Sequence, residues 1–402
     1  MSELTIAALP GEHRRGSAAS VLLGAVLRQG PVARSTIARL TGLSPAAVTR
    51  HCVALADLGL LTEVVGPVPY QGVGRPHIPL DIDTGRHIVA GIHIAHEYCT
   101  LALLDLRGRV RVQLRVPHQN PDDPRQVLTD AADRLVRLHG ELLPGRIPLG
   151  LGVAAGGWVD TEHGVLVEHA SLGWRGVAVR ELLTARTGLP VLVDSHARAL
   201  ARAEQLFGAA GHRESMVHLF VGNVVDAAIV TGGATHRGAR SAAGEVAHLA
   251  LGDATVRCPC GRYGCLEATV SDRAWAWRAY RAGVIDRPSI ADLGDAAVGG
   301  SPAAVQLLVE RATLVGRAAA VLVDIVNPEV LVVTELGVIR LAECVAALRA
   351  EVAATSRLGT SADTTVPSSF GEDVLGVAAG AVQLDAIYTD PLSIHNPIRL
   401  GV

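Results

Sequence analysis

The chain has 402 residues, long enough for two or three domains with buried cores, and 49% of them are hydrophobic, which excludes a disordered tail or a low-complexity scaffold. No uninterrupted apolar stretch is long enough to span a bilayer, and MSELTIAALPGEHRR, interrupted by Glu3, is too short in its apolar part for a secretory signal, so a cytoplasmic address is expected. The net charge of −3 is unevenly shared: residues 13 to 80 carry seven arginines against Asp57 and Glu63, about +5, leaving about −8 elsewhere. Every one of the 36 basic residues is arginine, which reads as genome bias, so arginine alone points to no function. The asymmetry permits nucleic-acid binding by the front end without establishing it.

Residues 1–16 are expected to form a flexible N-terminus, and residues 17–80 a winged helix-turn-helix. From Ser17, Val21, Leu22, Ala25 and Val26 recur at helical spacing, and Gly30-Pro31 separates them from a second run, Ile37, Ala38 and Leu40. In TGLSPAAVTRHCVALADLGLL, Gly42 supplies a turn, Ser44 caps a third helix, and Pro45 takes its first position. Val48, Cys52 and Leu55 form its buried stripe. Ser44, Pro45, Ala46, Thr49 and Arg50, with Val53, then face outward near the helix start, where a recognition helix touches base edges in the major groove. Thr49 and Arg50 are the best candidate readers, because arginine bonds guanine bidentately and threonine reaches a base or the thymine methyl. TEVVGPVPYQGVGRPHIPLDI reads as two short strands around a Gly/Pro-rich tip, a wing whose Arg75 is available for phosphates or the minor groove. The same proline-rich stretch, GPVPYQGVGRPHIP, also reads as a stiff linker able to pass a movement between front end and body. The plainer alternative for this whole region is a helical adaptor with a surface hairpin.

From His87 the chain alternates β-rich and helical runs: HIVAGIHI, CTLALLDL and RVRVQLRV, a helix around DPRQVLTDAADRLVRLHGELL, then PLGLGVAAG. A second such unit begins near VHLFVG and AAIVTGG and continues through long helices to VDIVNPEVLVVTE. This predicts a mixed α/β body, residues 81–402, of two lobes, about 86–195 and about 196–390. Within the second of these, GEVAHLALGDATVRCPCGRYGCLE, residues 244–267, gathers three of the six cysteines and a histidine. A disulfide, a nucleophile, a nucleic-acid-reading finger and a clamp under another site are all open on spacing alone, although in a reducing compartment such clusters bind metal more often than they form disulfides.

The stretches GRPHIPLDI, GLGVAAGGWVD, SLGWRGVAVRELL, GLPVLVDSHARALARAE, AAGEVAHL, CPCGRYGCLEA and IVNPEVLVV carry a resemblance over nearly the whole chain. The body resembles the ROK family of repressors, open reading frames and sugar kinases, and the front end resembles the winged helix of its repressor branch. The resemblance implies an actin-like, ribonuclease H-like sugar-kinase fold behind the winged helix-turn-helix. It also implies one structural zinc on His248, Cys258, Cys260 and Cys265, a closed set with no position for water or substrate. Glu245, Glu267 and the second ring nitrogen of His248 then hydrogen-bond sugar hydroxyls. Capping or arginine pairing is the plainer role for Glu267.

The chain departs from the kinases of that family where phosphate is handled. In GIHIAHEY, His93 stands for an acid, Ala95 and His96 for glycines and Glu97 for threonine. VGNVVDAAIV places Asp226 in the second phosphate loop, and Thr334-Glu335 replaces a glycine pair near the adenosine site. An asparagine-aspartate pair bearing the catalytic base becomes Ser195-His196. Histidine can act as a base, but phosphoryl transfer depends on holding phosphates, so no catalytic residue and no ATP are expected. Ser195 and His196 are expected as altered sugar contacts, with Gly156 letting the backbone approach the ligand and Trp158 a stacking face or core residue. A second metal site on His93, His96, Glu97 and His196 is the less favoured alternative. These features imply a sugar-responsive regulator, a repressor, that binds a pseudo-palindromic double-stranded DNA operator as a homodimer or tetramer, away from the membrane. A sugar kinase and a ligand-blind regulator that uses the body to dimerise are the competing readings.

Overall fold

The computed structural model describes residues 17–64, 78–209, 213–358 and 364–394. Three helices open the chain: α1 (Ala18–Gln29), α2 (Arg34–Thr41) and α3 (Pro45–Asp57). Each begins or ends on the residue its chemistry predicts. Ser17 accepts the Ser20 N–H at 3.2 Å, Gly42 closes α2 at φ 70°, and Ser44 accepts the Ala47 N–H at 3.2 Å with Pro45 behind it. Val48, Cys52 and Leu55 are buried as their spacing requires, while Pro45, Ala46, Thr49, Arg50 and Val53 are exposed.

Strands β1 (Leu61–Glu63) and β2 (Leu80–Ile82) pair antiparallel, with Leu61 opposite Ile82 and Glu63 opposite Leu80. This corrects the linker expectation for GPVPYQGVGRPHIP: that stretch lies between the two paired strands, and the chain enters the body through Asp83–Arg86. Residues 65–77, including Arg75, fall outside the described residues, as do residues 1–16.

The first sheet comprises β3 (His87–Ile94), β4 (Tyr98–Leu104), β5 (Val110–Pro117), β6 (Ile147–Ala155) and β10 (Val191–Ser195). It is interleaved with α4 (Pro124–Leu142), α5 (Val179–Thr187) and a small sheet of β7 (Trp158–Asp160), β8 (Val165–His169) and β9 (Trp174–Val177). Its order is β10-β6-β3-β4-β5, antiparallel along β3-β4-β5 and parallel along β3-β6-β10. All eight residues of β3 are buried, as expected of a central strand covered on both faces. Helix α6 (His196–Phe207) leads to the second sheet, built from β11 (Met216–Val221), β12 (Val225–Thr231), β13 (Ala234–Thr235), β14 (Val330–Glu335) and β15 (Thr365–Pro367). Its order, β13-β12-β11-β14-β15, repeats that of the first. Between its strands run α7 (Leu266–Val270), α8 (Asp272–Arg281), α9 (Ile290–Val298), α10 (Pro302–Val326), α11 (Leu336–Arg340) and α12 (Ala342–Thr355), and α13 (Val374–Thr389) follows β15. No helix among the described residues is long and apolar enough to cross a membrane.

Helix α13 returns to the first sheet, lying across β3 and β6. A side chain at Gly152 would collide with the Ala379 carbonyl oxygen, so glycine there lets helix and sheet approach. The other side of α13 meets the front end. Leu22, Val26 and Leu55 share one apolar cluster with Val89, Leu104, Leu384 and Ile387 of the body. Polar bonds edge this core: Ser20 Oγ donates to the Tyr388 carbonyl at 2.7 Å, Tyr388 Oη to the Leu106 carbonyl at 2.7 Å, and Arg107 to the Leu27 carbonyl at 3.0 Å while pairing with Asp81. The head is therefore packed on the body and not tethered to it.

Truncating Leu384, fully buried in this shared cluster, is expected to remove about 2–5 kcal/mol of stability. Urea titration of Leu384→Ala measures that loss. Hydrogen exchange should show amides of α1, on the other side of the interface, losing protection in the same variant; unchanged α1 protection would mean that head and body are energetically separate.

Candidate functional site

The segment joining β13 to α7 folds into a knuckle. Cys258 N–H donates to the Arg262 carbonyl at 2.8 Å and Gly264 N–H to the Val256 carbonyl at 3.0 Å, with Gly261 turning the chain between them at φ 90°. Cys265 then stands at the start of α7. His248, Cys258, Cys260 and Cys265 are thereby gathered so that one donor atom from each lies within 4.8 Å of the others. Cys258 Sγ is 3.6 Å from His248 Nδ1, and Cys260 Sγ is 3.6 Å from Cys265 Sγ. The sulfur pair is far too long for a disulfide. A tetrahedral ion with metal–sulfur bonds near 2.3 Å and metal–nitrogen bonds near 2.0 Å sets donor separations of about 3.5–3.8 Å, so these residues fit a metal ion. The N–H and guanidinium of Arg262 hold the Cys260 thiol down at about 6, supplying a thiolate near neutral pH, whereas burial pushes Cys258 up to about 12.

His248 turns Nδ1 toward the cysteines, leaving Nε2 for the other side. There stand the two carboxylates singled out in the sequence. Glu267 lies in the first turn of α7, and its Oε2 accepts the Val225 N–H at 3.1 Å. Both carboxyls are raised above the usual range, first by loss of solvation; Asp226 and each neighbouring acid add repulsion, which His248 opposes. Glu245, His248 and Glu267 are thus one electrostatic group beside the knuckle.

Ser195 and His196 sit on the opposite side, at the junction of β10 and α6. The Ser195 hydroxyl caps α6, accepting the Arg198 N–H at 3.3 Å. Both nitrogens of His196 are engaged: Nε2 donates to Asp226 Oδ1 at 2.8 Å, and Nδ1 is 3.2 Å from His93 Nε2. Its ring lies 3.9 Å from that of Phe220, centroid to centroid. A methyl group at Gly156 would sit 2.9 Å from Val224 Cβ and 3.1 Å from His196 Cε1, so glycine lets the loop after β6 lie against both. Sequence reasoning missed the partnership of His93, His196 and Asp226, because no spacing rule connects positions 30 and 103 residues apart. His96 and Glu97 do not join the two histidines: among the described residues, the knuckle supplies the one group of ligand atoms close enough for a metal.

Trp158, the first residue of β7, is half-buried. Its indole N–H donates to the Arg240 carbonyl at 2.8 Å, and the Arg240 guanidinium lies 5.5 Å from its ring centroid. Arg198, paired with Asp194 at 2.6 Å, also reaches this loop and donates to the Ser241 carbonyl at 2.9 Å. Deeper in the second lobe, Glu335 is fully buried and pairs with Arg311 at 2.7 Å, Arg311 also reaching Asp272 at 2.6 Å and the Val270 carbonyl. Thr334 beside it bonds His218 at 2.9 Å.

On α3, the Thr49 hydroxyl donates to the Pro45 carbonyl at 2.9 Å and the Ser44 hydroxyl is occupied as the helix cap, which leaves Arg50 as the exposed charge of that face. Flanking it, Arg34 pairs with Glu63 at 3.0 Å.

The ROK family model matches residues 89–384. Over 399 residues, 95% of this chain and 88% of the relative, the sequence is 34% identical to a transcriptional regulator of Mycobacterium tuberculosis. It is 28% identical over 330 residues to the xylose repressor of Caldicellulosiruptor bescii, covering 78% of this chain and 81% of that one. The crystal structure of a ROK family transcriptional regulator, a homologue of the Escherichia coli MLC protein, superposes with a TM-score of 0.72 at 23% identity, over 93% of this chain and 96% of that chain. The chain belongs to the ROK family.

Proposed function

We propose that this protein is a sugar-responsive, DNA-binding transcriptional regulator, a repressor of carbohydrate-metabolism genes, that works in the cytoplasm as a homodimer. One observation carries the reading. The head with its exposed α3 face shares a single apolar core with the first sheet and α13, so the surface offered to DNA is packed directly on the body. Relatives named transcriptional regulator and xylose repressor support it.

In this reading α3 enters the major groove with Pro45, Ala46, Thr49 and Arg50 toward the bases, Ser44 securing the helix start and Arg75 of the wing reaching phosphate or minor groove. Two heads of a dimer face two halves of a pseudo-palindromic operator. One zinc per chain holds the knuckle through His248, Cys258, Cys260 and Cys265, and Glu245, Glu267 and His248 Nε2 bind neighbouring hydroxyls of the sugar. Ser195, His196 and Gly156 shape the opposite wall. The sugar alters DNA affinity only to the extent that it binds one lobe closure better than another.

Phosphoryl transfer is not part of the proposal. Asp226 would set a negative charge where a second phosphate loop must receive triphosphate, and Glu335 buries its carboxylate against Arg311 beside the adenosine position. His196, with both nitrogens engaged, has no free lone pair to take a hydroxyl proton.

Gel-shift titration over the gene's own promoter should give a sequence-selective complex whose affinity changes with one member of a sugar panel. Selective binding that no sugar alters would favour the ligand-blind regulator, and no selective binding would end the repressor reading. Metal analysis of the purified chain should find about one zinc, falling well below half in Cys258→Ser, with a lower melting temperature because the folded knuckle depends on the ion. A coupled kinase assay with ATP, magnesium and the same sugars should show no turnover above background.

A further inference from the structure

Three side chains at the floor of the cleft come from three separate elements. His93 is near the end of β3 in the first sheet, His196 is the first residue of α6, and Asp226 is the second residue of β12 in the second sheet. All three are buried, at 3%, 3% and 7% exposure, and two hydrogen bonds join them in a row. Their protons follow from connectivity. A carboxylate only accepts, so His196 Nε2 carries a proton and donates to Asp226; with the His196 ring neutral, its Nδ1 accepts from His93 Nε2–H. His93 Nδ1 is left as a bare acceptor, and it is among the buried nitrogens without a hydrogen-bond partner. Burial, with His196, His169 and Arg115 nearby, holds the His93 ring well below the usual imidazole range and hence neutral.

Taken singly, each of these residues reads as the loss of a phosphate-handling group. Together they are complementary, with a carboxylate, a bridging ring and a neutral donor running from one sheet to the other. Phe220 supports the bridging ring on its face, and Gly156 leaves room for its Cε1 edge. The residue beside Asp226 is Val225, whose N–H is bound by Glu267. The row therefore ends on the same short stretch of β12 that the metal-anchored segment grips.

We propose that His93, His196 and Asp226 act as one unit, a hydrogen-bonded staple that ties the two lobes together across the cleft floor without any bound phosphate and so sets the closure at which the ligand site is presented. These are positioning residues. The staple rests on bonds within the chain and holds whatever ligand the cleft takes, so its test is independent of the sugar reading.

Hydrogen exchange on the full-length chain reads it directly, because a staple transmits damage across the cleft and a local contact does not. Asp226→Ala alters the second lobe alone, yet should speed exchange of amides 93–98 in the first lobe by about tenfold, the loss of one charged hydrogen bond. His93→Ala should do the same to amides 222–226 in the second. Asp226→Asn keeps an oxygen acceptor and should stay within about threefold of the parent chain. The double variant Asp226→Ala with His93→Ala should be no worse than the more damaging single one, since either breaks the same row. Changes confined to the mutated lobe, or effects that add in the double variant, would overturn the staple. If Asp226→Ala does not fold, the His93→Ala and Asp226→Asn arms decide the matter alone, by whether amides across the cleft respond to the first and are spared by the second.

Discussion

The close packing of α13 between the first sheet and α1 is the constraint on which the rest depends. Interiors at crystal-like density cannot absorb a displaced strand locally, so a shift at one face of α13 is felt at the other. Strands β3 and β6 run under this helix and end at the cleft, β3 beside His93 and β6 at Ala155, one residue before Gly156. The opposite face of α13 carries Leu384 and Ile387 in the same cluster as Leu22 and Val26 of the head. The path from cleft to head is thus a stack of apolar contacts with Ser20, Tyr388 and Arg107 bonds at its margin. A proline-rich tether would have allowed coupling only through chain stiffness; direct packing makes the head's orientation a function of the body's conformation.

The knuckle solves a different problem. A carboxylate selects among hydroxyl patterns only if its own position is fixed, and residues 244–267 form an extended loop with little regular structure beyond short turns. Four donor atoms within 4.8 Å allow an ion to replace the missing core. Loss of solvation here raises the carboxyls of Glu245 and Glu267, and the nearby Asp226 adds repulsion to both.

The second lobe keeps its charges inside. Arg311 is completely buried and reaches Glu335, Asp272 and the Val270 carbonyl, so each proton of interest on its guanidinium meets an oxygen. Such a cluster contributes little net stability relative to apolar packing but is severe to break, because the remaining charge would have no solvent. It joins α10, α8 and the end of β14 in a single geometry. The Asp272 N–H also donates to the Gly222 carbonyl in the loop that precedes β12, so that loop and the ion cluster share an anchor.

Much was legible before any coordinates. The helix boundaries around Ser17, Gly42 and Ser44-Pro45, the buried stripe Val48, Cys52 and Leu55, and the strand-strand-strand-helix-strand succession are local consequences of capping, periodicity and turn chemistry, and the sequence determines them because every term lies within a few residues. Spacing confines His248, Cys258, Cys260 and Cys265 to one stretch of chain but left their use open, and the family resemblance supplied the metal set that their gathering fits. Of the two sequence readings of the proline-rich stretch, wing tip and linker, the tertiary structure selected the one between paired strands, and it alone decided that α13 joins head to body and that His93, His196 and Asp226 meet. Those contacts link residues dozens to hundreds of positions apart. Their energies depend on the relative placement of whole layers, and residue types and local spacing carry no information about a distance that exists only after the layers have packed.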